Sequence, residues 1–329
     1  MKKSTLLLLS LIFIISAQSQ EVQIIVQGTK TSFRGLSIKG NSIWVSGSGG
    51  TVGRSTDGGH TWKWQAIKGY ENTEFRDIEA LDERTAVVMG IASPAYILKT
   101  SDGGYSWSRV YKNRDTAMFL DAMAFKDSRE GIVIGDPINN KIFVAQTKDG
   151  GNSWQTTDKL QLPEAKPGEA FFAASGSNII WSPPGYAIVS GGAVSRFFYQ
   201  NKVVKLPTTQ GQQMTGANGL ATQGKILLVA SGNYNDRNSS DSAFVYSHDQ
   251  GKTWQLPVVM PAGYRSAVCF TGKNEAITCG ITGIDITKDG GVHWEKISGE
   301  GFNTCAYNKA NNSVYFVGNN GRVGKLLLQ

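Results

Sequence analysis

Short apolar runs bounded by Gly, Asn or Pro recur along the whole chain, among them Ile43-Trp44-Val45-Ser46, Ala86-Val87-Val88-Met89, Ile132-Val133-Ile134, Ala187-Ile188-Val189 and Ile226-Leu227-Leu228-Val229. Runs this short, rich in β-branched residues and closed by turn residues, read as buried strands. Each is preceded by another segment that also repeats. It begins at Phe33-Arg34-Gly35-Leu36, Phe75-Arg76-Asp77-Ile78, Phe119-Leu120-Asp121-Ala122, Phe172-Ala173-Ala174-Ser175, Ala217-Asn218-Gly219-Leu220, Tyr264-Arg265-Ser266-Ala267 and Phe302-Asn303-Thr304-Cys305. Those are seven starts at similar spacing, and helix signals are nearly absent.

A third strand in most units runs into a fixed motif: a hydroxyl residue, one variable residue, Asp, Gly or Gln, Gly, two variable residues and Trp. It occurs at 55–62, 100–107, 147–154, 247–254 and 287–294. The Asp/Trp pairs are Asp57/Trp62, Asp102/Trp107, Asp149/Trp154, Asp249/Trp254 and Asp289/Trp294. The acid can accept backbone N–H bonds while the glycines take positive φ, so the motif is a chain reversal. The Trp is expected on the outgoing strand, where a large ring can wedge between sheets. All ten residues are expected to maintain the fold.

The aspartates are 45, 47, 100 and 40 residues apart, the long step holding two units. Such a period marks a propeller or solenoid, whose units bury their apolar faces only against their neighbours. The unit within the long step keeps its strands but runs from Ala193 through Tyr199 into Gln200-Asn201-Lys202 with no motif. At the end, the last unit supplies three strands, whereas Val22–Val26 at the start is a strand without a sheet. Joining them closes a ring and removes exposed edges. The expected fold is therefore all-β, a seven-bladed propeller of four-stranded antiparallel blades closed by the N-terminal strand. Its blades lie near 33–68, 75–112, 119–163, 171–207, 217–257, 264–298 and 302–329 plus 21–27, making residues 20–329 one domain.

The five motifs match the Asp-box, or BNR repeat, of sialidase-like propellers. The chain more specifically resembles the seven-bladed BNR propellers related to the photosystem II stability and assembly factor. That resemblance spans residues 21–329 and rests on Phe-Arg-Gly-Leu at 33–36, the Gly-rich turns at 47–52 and 318–323, and the boxes. It implies a binding or assembly module in which the boxes are structural.

The first residues suggest a compartment. Met1-Lys2-Lys3 is basic, Leu6–Ile15 is almost wholly apolar, and Ala17-Gln18-Ser19 offers small residues for cleavage. Residues 1–19 thus read as a secretory signal peptide, too short in its apolar run to span a bilayer. No lipoprotein cysteine is nearby, so the expected location is secreted or periplasmic. Removing Lys2 and Lys3 lowers the formal charge from +7 to +5, without the basic runs of a nucleic-acid binder. The expectation is a monomer with no membrane span. Cys269 and Cys279 flank a turn near Gly272–Asn274 and can either pair or remain buried thiols.

The candidate site lies where the inner strands enter the channel, on the face opposite the boxes. Arg34, Arg76 and Arg265 head three inner strands, with Asp121, Ser175, Asn218 and Asn303 in comparable places in the other four; Asp136 and Glu169 stand on the same rim, with a loop carrying Trp181. Converging guanidinium groups suit a carboxylate, phosphate or acidic peptide, although each can instead pair with a neighbouring acid and merely line the channel. His60, His248 and His293 all lie in the boxes, away from the channel, which argues against a metal cluster or Ser-His-Asp triad there. The polar stretch 233–241 lacks the spacing of a calcium loop. The Gly-rich turn at 47–53 precedes a strand, whereas a dinucleotide motif precedes a helix. No cofactor or metal is expected. The reading is an exported, non-catalytic propeller recognising a protein or an anionic or carbohydrate ligand. The alternative is a sialidase-like or other carbohydrate-active propeller, which would need a Tyr such as Tyr264 or Tyr96, a Glu such as Glu74 or Glu169, and Asp136 as acid.

Overall fold

The computed structural model describes residues 21–328, so the expected signal peptide lies outside the described residues. Seven antiparallel sheets follow one another around a central axis, and no helix occurs among the described residues. Blade one is representative: Phe33–Lys39 is innermost, followed outward by Ser42–Gly47, Thr51–Ser55 and Lys63–Ala66. The second strand is buried at every position because neighbouring blades cover both its faces. That accounts for the continuous apolar runs where a half-exposed sheet would alternate.

The ring closes as its end segments require. Gln23–Val26 pairs antiparallel with Val323–Leu327, outermost in a sheet that continues through Ser313–Val317 to Thr304–Asn308. Between adjacent blades lie separate apolar clusters, such as Trp44, Phe75, Ile78 and Leu98 between blades one and two. The core is thus a ring of interfaces, as repeat architecture demands.

Blades four and five depart from the pattern. In blade four the outer hairpin Arg196–Tyr199/Lys202–Lys205 turns at Gln200, whose φ is 55°, in place of a box. In blade five the fourth strand shrinks to the Tyr246–Gln255 bridge, while Glu169–Ala170 and Gly191–Gly192 add a short ladder to the inner strand Thr215–Gln223.

Each box closes through one hydrogen-bond set. Asp57 Oδ1 accepts from Ser55 Oγ (2.8 Å) and the Thr61 amide (2.9 Å), while Ser55 Oγ accepts from the Gly59 amide (2.8 Å). Asp102, Asp149, Asp249 and Asp289 each accept the same hydroxyl bond. The residue before the Trp, which the sequence pattern treats as variable, is part of the motif. Thr61, Ser106, Ser153 and Thr253 each donate a hydroxyl to the second carboxylate oxygen, and His293 takes their place in the last copy. These donors hold the carboxylates below their ordinary range: Ser106 leads in bringing Asp102 down to about 2, and at Asp149 the Ser153 and Thr147 bonds outweigh burial to reach about 2.

The box tryptophans correct one detail of the expected motif. Trp62, Trp107, Trp154, Trp254 and Trp294 stand one residue ahead of the outgoing strand, not on it; pairing begins at Lys63, Ser108, Gln155, the Gln255 bridge and Glu295. The residue before each Trp is still tied to the box carboxylate, so the chain joins the ladder only after the ring. The wedge itself is present. Trp62 stacks on Trp64 at 5.0 Å and packs on the Phe33 and Tyr315 cluster between blades seven and one. Trp107 meets Trp44 of blade one edge to face at 6.1 Å, and Trp254 meets Phe197 of blade four at 5.0 Å. Trp294 tilts against Phe244 of blade five at 4.6 Å, and Trp154 packs with Val87 and Met89 of blade two. Trp154 and Trp294 are buried, the other three half-buried. Trp62 and Trp294 also bond the carbonyls of their own box glycines, Gly59 at 3.1 Å and Gly291 at 3.2 Å, whereas the indole N–H groups of Trp107, Trp154 and Trp254 make no hydrogen bond with described residues.

All three cysteines are free thiols. Cys279 lies opposite Ala267 and Cys269 opposite Ile277, so the two are diagonal across their hairpin. Cys305 of blade seven joins them, and its contacts with Cys269 and then Cys279, with burial added, push its thiol up.

Candidate functional site at the channel mouth

One backbone irregularity sets the side chains at the channel mouth. In blades one, two, three and five the inner strand gains one residue relative to its partner, the shift falling between Phe33 and Gly35, Phe75 and Asp77, Leu120 and Ala122, and Ala217 and Gly219. The extra residues are Arg34, Arg76, Asp121 and Asn218. A bulge of this kind re-aims one side chain without disturbing the rest of the strand. Asn303 is the counterpart in blade seven, since its amide and Thr304 both meet Val317.

Blade six corrects the expected arginine trio. The Phe33 amide bonds Gly318 of the preceding blade, and the Arg265 amide likewise bonds Ser231, which is the partner of Ala217 as Gly47 is of Phe33. Arg265 therefore occupies the position of Phe33, and Ser266 that of Arg34. The Arg265 side chain is fully buried; Nε donates to Asp285 Oδ2 at 2.6 Å, Nη2 donates to the same oxygen, and Nη1 donates to Thr282 Oγ1 at 2.7 Å. It is a strut within its blade. Glu169 is likewise committed: buried, it receives Arg196 Nε at 2.8 Å and Nη2 at 2.5 Å.

Blade four supplies a plug. Its chain between Phe171 and Asn178 forms no inner strand and crosses the channel, meeting every other blade. The Phe171 amide donates to Asp136 Oδ1 (2.9 Å), Arg76 donates to the Ala173 carbonyl (3.3 Å) and Arg34 to the Ala174 carbonyl (3.2 Å). Ser175 Oγ donates to the Ser266 carbonyl (2.7 Å), Thr304 Oγ1 donates to the Ser175 carbonyl (3.1 Å), and the Leu220 amide donates to the Ser177 carbonyl (2.8 Å). Ser175, expected on the rim, is thus buried at the axis. Gly176 lies against Asp77, where a Cβ would come within 2.5 Å of the carboxylate.

Acids are enclosed around this plug. Asp121 is wholly buried with neither carboxylate oxygen hydrogen-bonded to a described residue, and burial followed by the charge of Asp136 raises it well above the usual carboxylate range. Asp77 accepts from the Ile78 and Met123 amides yet is also raised, by burial first and Glu79 second. Burial lifts Glu79 to about 7 against the pull of Lys39 and Ser37.

Above the plug opens a cavity of about 420 Å³. It brings together Arg34, Arg76, Asp136 and Asn218 of the expected set and adds Met214, Tyr234 and Tyr264. Asn218 is nearly buried; its amide reaches the Gly216 carbonyl at 3.1 Å, and its oxygen accepts the Tyr264 hydroxyl at 3.1 Å. Asn303 faces inward, donating to the Phe33 carbonyl at 2.8 Å. Arg76 pairs with exposed Glu74 at 2.6 Å, whereas Arg34 forms no ion pair with any described residue. Burial, then repulsion from Arg76, lowers Arg34. Tyr234 and Tyr264 meet edge to face at 5.6 Å, and Arg237 covers Tyr234. Tyr234 sits in the polar stretch considered for calcium; an aromatic amid Asn and Asp was its available signal. Trp181 falls elsewhere, packed on Tyr186 in the hairpin at the box end of blade four.

Fold and boxes together define a closed Asp-box propeller whose channel is plugged from within and whose mouth carries an acid-free arginine. The chain is a BNR repeat propeller similar to the photosystem II assembly factor group: the family described as "Photosynthesis system II assembly factor YCF48" matches residues 63–179, and "BNR/Asp-box repeat" matches 245–256. Among solved structures, "YCF48 bound to D1 peptide" is similar at a TM-score of 0.65 and 18% identity, over 96% of this chain and 99% of that one. YCF48 from Cyanidioschyzon merolae is similar at 0.65 and 16%, over 93% and 98%; the Neurospora crassa Pan2 WD40 domain at 0.63 and 13%, over 95% and 97%. At these identities the likeness is one of fold. No curated protein matches in sequence.

Proposed function

We propose that this protein is a non-catalytic binding propeller, exported by its N-terminal segment, that recognises an acidic segment of a protein partner at the channel mouth. The observation carrying this reading is Arg34, a half-buried guanidinium with no ion-pair partner among the described residues, beside Arg76 in a cavity with tyrosine and methionine walls. A desolvated guanidinium with free donors gains most from a carboxylate that arrives with the ligand. Tyr and Met walls supply adaptable apolar contact on either side. The similar propeller solved as "YCF48 bound to D1 peptide" gives a precedent for peptide binding by this fold.

The glycosidase alternative draws less support. A sialidase-type site needs an arginine trio and an accessible tyrosine nucleophile, and here Arg265 is bound to Asp285 while Tyr264 is buried, with its hydroxyl on Asn218. Burial raises Tyr264 further from ionisation.

The test is a crosslinking pull-down from the extracytoplasmic fraction of the source organism. Residues 20–329 serve as bait beside a folded variant with Arg34→Ala and Arg76→Ala. A protein captured by the first and lost by the second supports the reading; equal capture by both removes it.

A further inference from the structure

A second concave site lies on the flank of the ring, between the outer half of blade one and the box hairpin of blade two. It encloses about 310 Å³ and is lined in part by Trp44, Arg54, Lys63, Trp64, Gln65 and Tyr105, a volume within the range of small-molecule pockets. We propose that this pocket binds a carboxylated sugar ring, of the uronic-acid class, independently of the channel mouth.

Two cations flank the pocket. Arg54 donates to the Ser42 hydroxyl (3.2 Å), the Gly103 carbonyl (3.2 Å) and the Glu83 carbonyl (2.7 Å), and Lys63 donates to Tyr105 Oη (3.0 Å). Neither cation forms an ion pair among the described residues. Asp82 and Glu83 are near enough to act on Arg54, but Asp82 spends one carboxylate oxygen on the Arg84 and Thr85 amides. The contrast is with the next blade junction, where Lys99 bonds Asn152 under the influence of Asp149 and Asp82. Arg54 keeps two N–H donors and Lys63 two more, enough to seat a carboxylate.

The walls then select the body of the ligand. Tyr105 is 74% exposed and held by Lys63, which lies over its ring as well as on its hydroxyl. An aromatic fixed at a pocket edge with a face open to solvent is a platform for an aliphatic ring. Trp44 lines the pocket beneath the Arg54 guanidinium, which lies 4.9 Å from its ring centroid and is held at the wall by that stack. Thr56 adds a hydroxyl for ring hydroxyls and Gln65 a carboxamide oxygen, its amide nitrogen already donating to the Gly104 carbonyl. The cleft depends on the box glycines: a Cβ at Gly103 would come within 2.4 Å of Arg54 Nη1, and one at Gly104 within 3.2 Å of the Trp44 ring.

The experiment titrates tri-galacturonate into the folded protein and follows the indole N–H resonances, with neutral tri-galactoside and benzoate as comparators. The expected result is saturable movement of the Trp44 and Trp64 signals by the acidic sugar alone at millimolar levels or below, weakening with added salt. Lys63→Ala and Tyr105→Ala, both at exposed positions, should each weaken it by about tenfold or more, the scale of one lost charge-assisted or stacking contact. Arg34→Ala should leave it unchanged, which separates this site from the channel mouth. Absence of saturable movement, equal binding to Lys63→Ala, or equal binding of the neutral sugar or benzoate would overturn the proposal.

Discussion

The two faces of the ring were built by different rules. On the box face, five turns repeat one hydrogen-bond set within eight residues, and each satisfies its own carboxylate. At the mouth, equivalent positions in six blades carry Arg, Arg, Asp, Asn, Ser and Asn, and the remaining blade sends its chain across the channel before its inner strand begins at Ile179. Repetition serves local closure; variation is found where several blades converge on a single space. The loops of a rigid scaffold are where binding residues accumulate, and here the scaffold supplies the difference through one-residue bulges.

The largest difference between the two kinds of position lies in two arginines one register position apart. Arg265→Ala would leave Asp285 buried and unpaired, which costs about 3–5 kcal/mol, whereas Arg34→Ala removes one bond to the plug and should cost about 1 kcal/mol. Urea unfolding of both variants checks the ranking, and equal losses would place Arg265 and Arg34 in the same role. Next in size is the box itself. Thr147 is buried, bonded to both Asp149 and the Gly151 amide, so Thr147→Val strands those partners for about 1–3 kcal/mol. Blade four turns without a box, so Gln200→Gly at its left-handed turn should change stability by less than about 0.5 kcal/mol, a difference the same measurement resolves.

A smaller effect concerns the buried acids. Glu79 is raised to about 7 by burial, so its folded form holds a proton where the unfolded chain is already ionised. Its contribution is therefore complete at pH 4 and is lost as pH rises from about 4.5 to about 7, in the sense opposite to the box aspartates. Thermal unfolding should show a decline of about 1–2 kcal/mol over that window, allowing for solvent screening. Glu79→Gln should reduce it, leaving the slope from Asp77, Asp121 and Asp136, all raised in the same direction by burial. An unchanged profile in that variant would remove Glu79 as the cause.

Much of this architecture is legible in the sequence because it is local or periodic. The boxes announce their turns, the apolar runs announce buried strands, and the orphan strand near residue 22 matches the three-stranded last unit. The hydroxyl before four of the five Trp residues was equally legible, present at Thr61, Ser106, Ser153 and Thr253 with His293 in the last copy; its bond to the carboxylate ties the chain just ahead of the strand. What sequence alone hid was register. Tyr264-Arg265 imitates Phe33-Arg34, yet the strand enters one residue later, and only pairing with the preceding blade reveals it. The plug was hidden for a related reason: Phe172-Ala173-Ala174-Ser175 looks like another strand start, and its fate depends on contacts with six other blades.

On this reading the mouth recognises acid through Arg34 and Arg76. Isothermal titration with short acidic peptides and their Gln-substituted counterparts tests it most directly, run against the wild type and the Arg34→Ala/Arg76→Ala variant. Binding of the acidic peptides should weaken with salt and fall by about tenfold or more in the variant. Equal binding of acidic and neutral peptides, or acidic binding that survives in the variant, would contradict it.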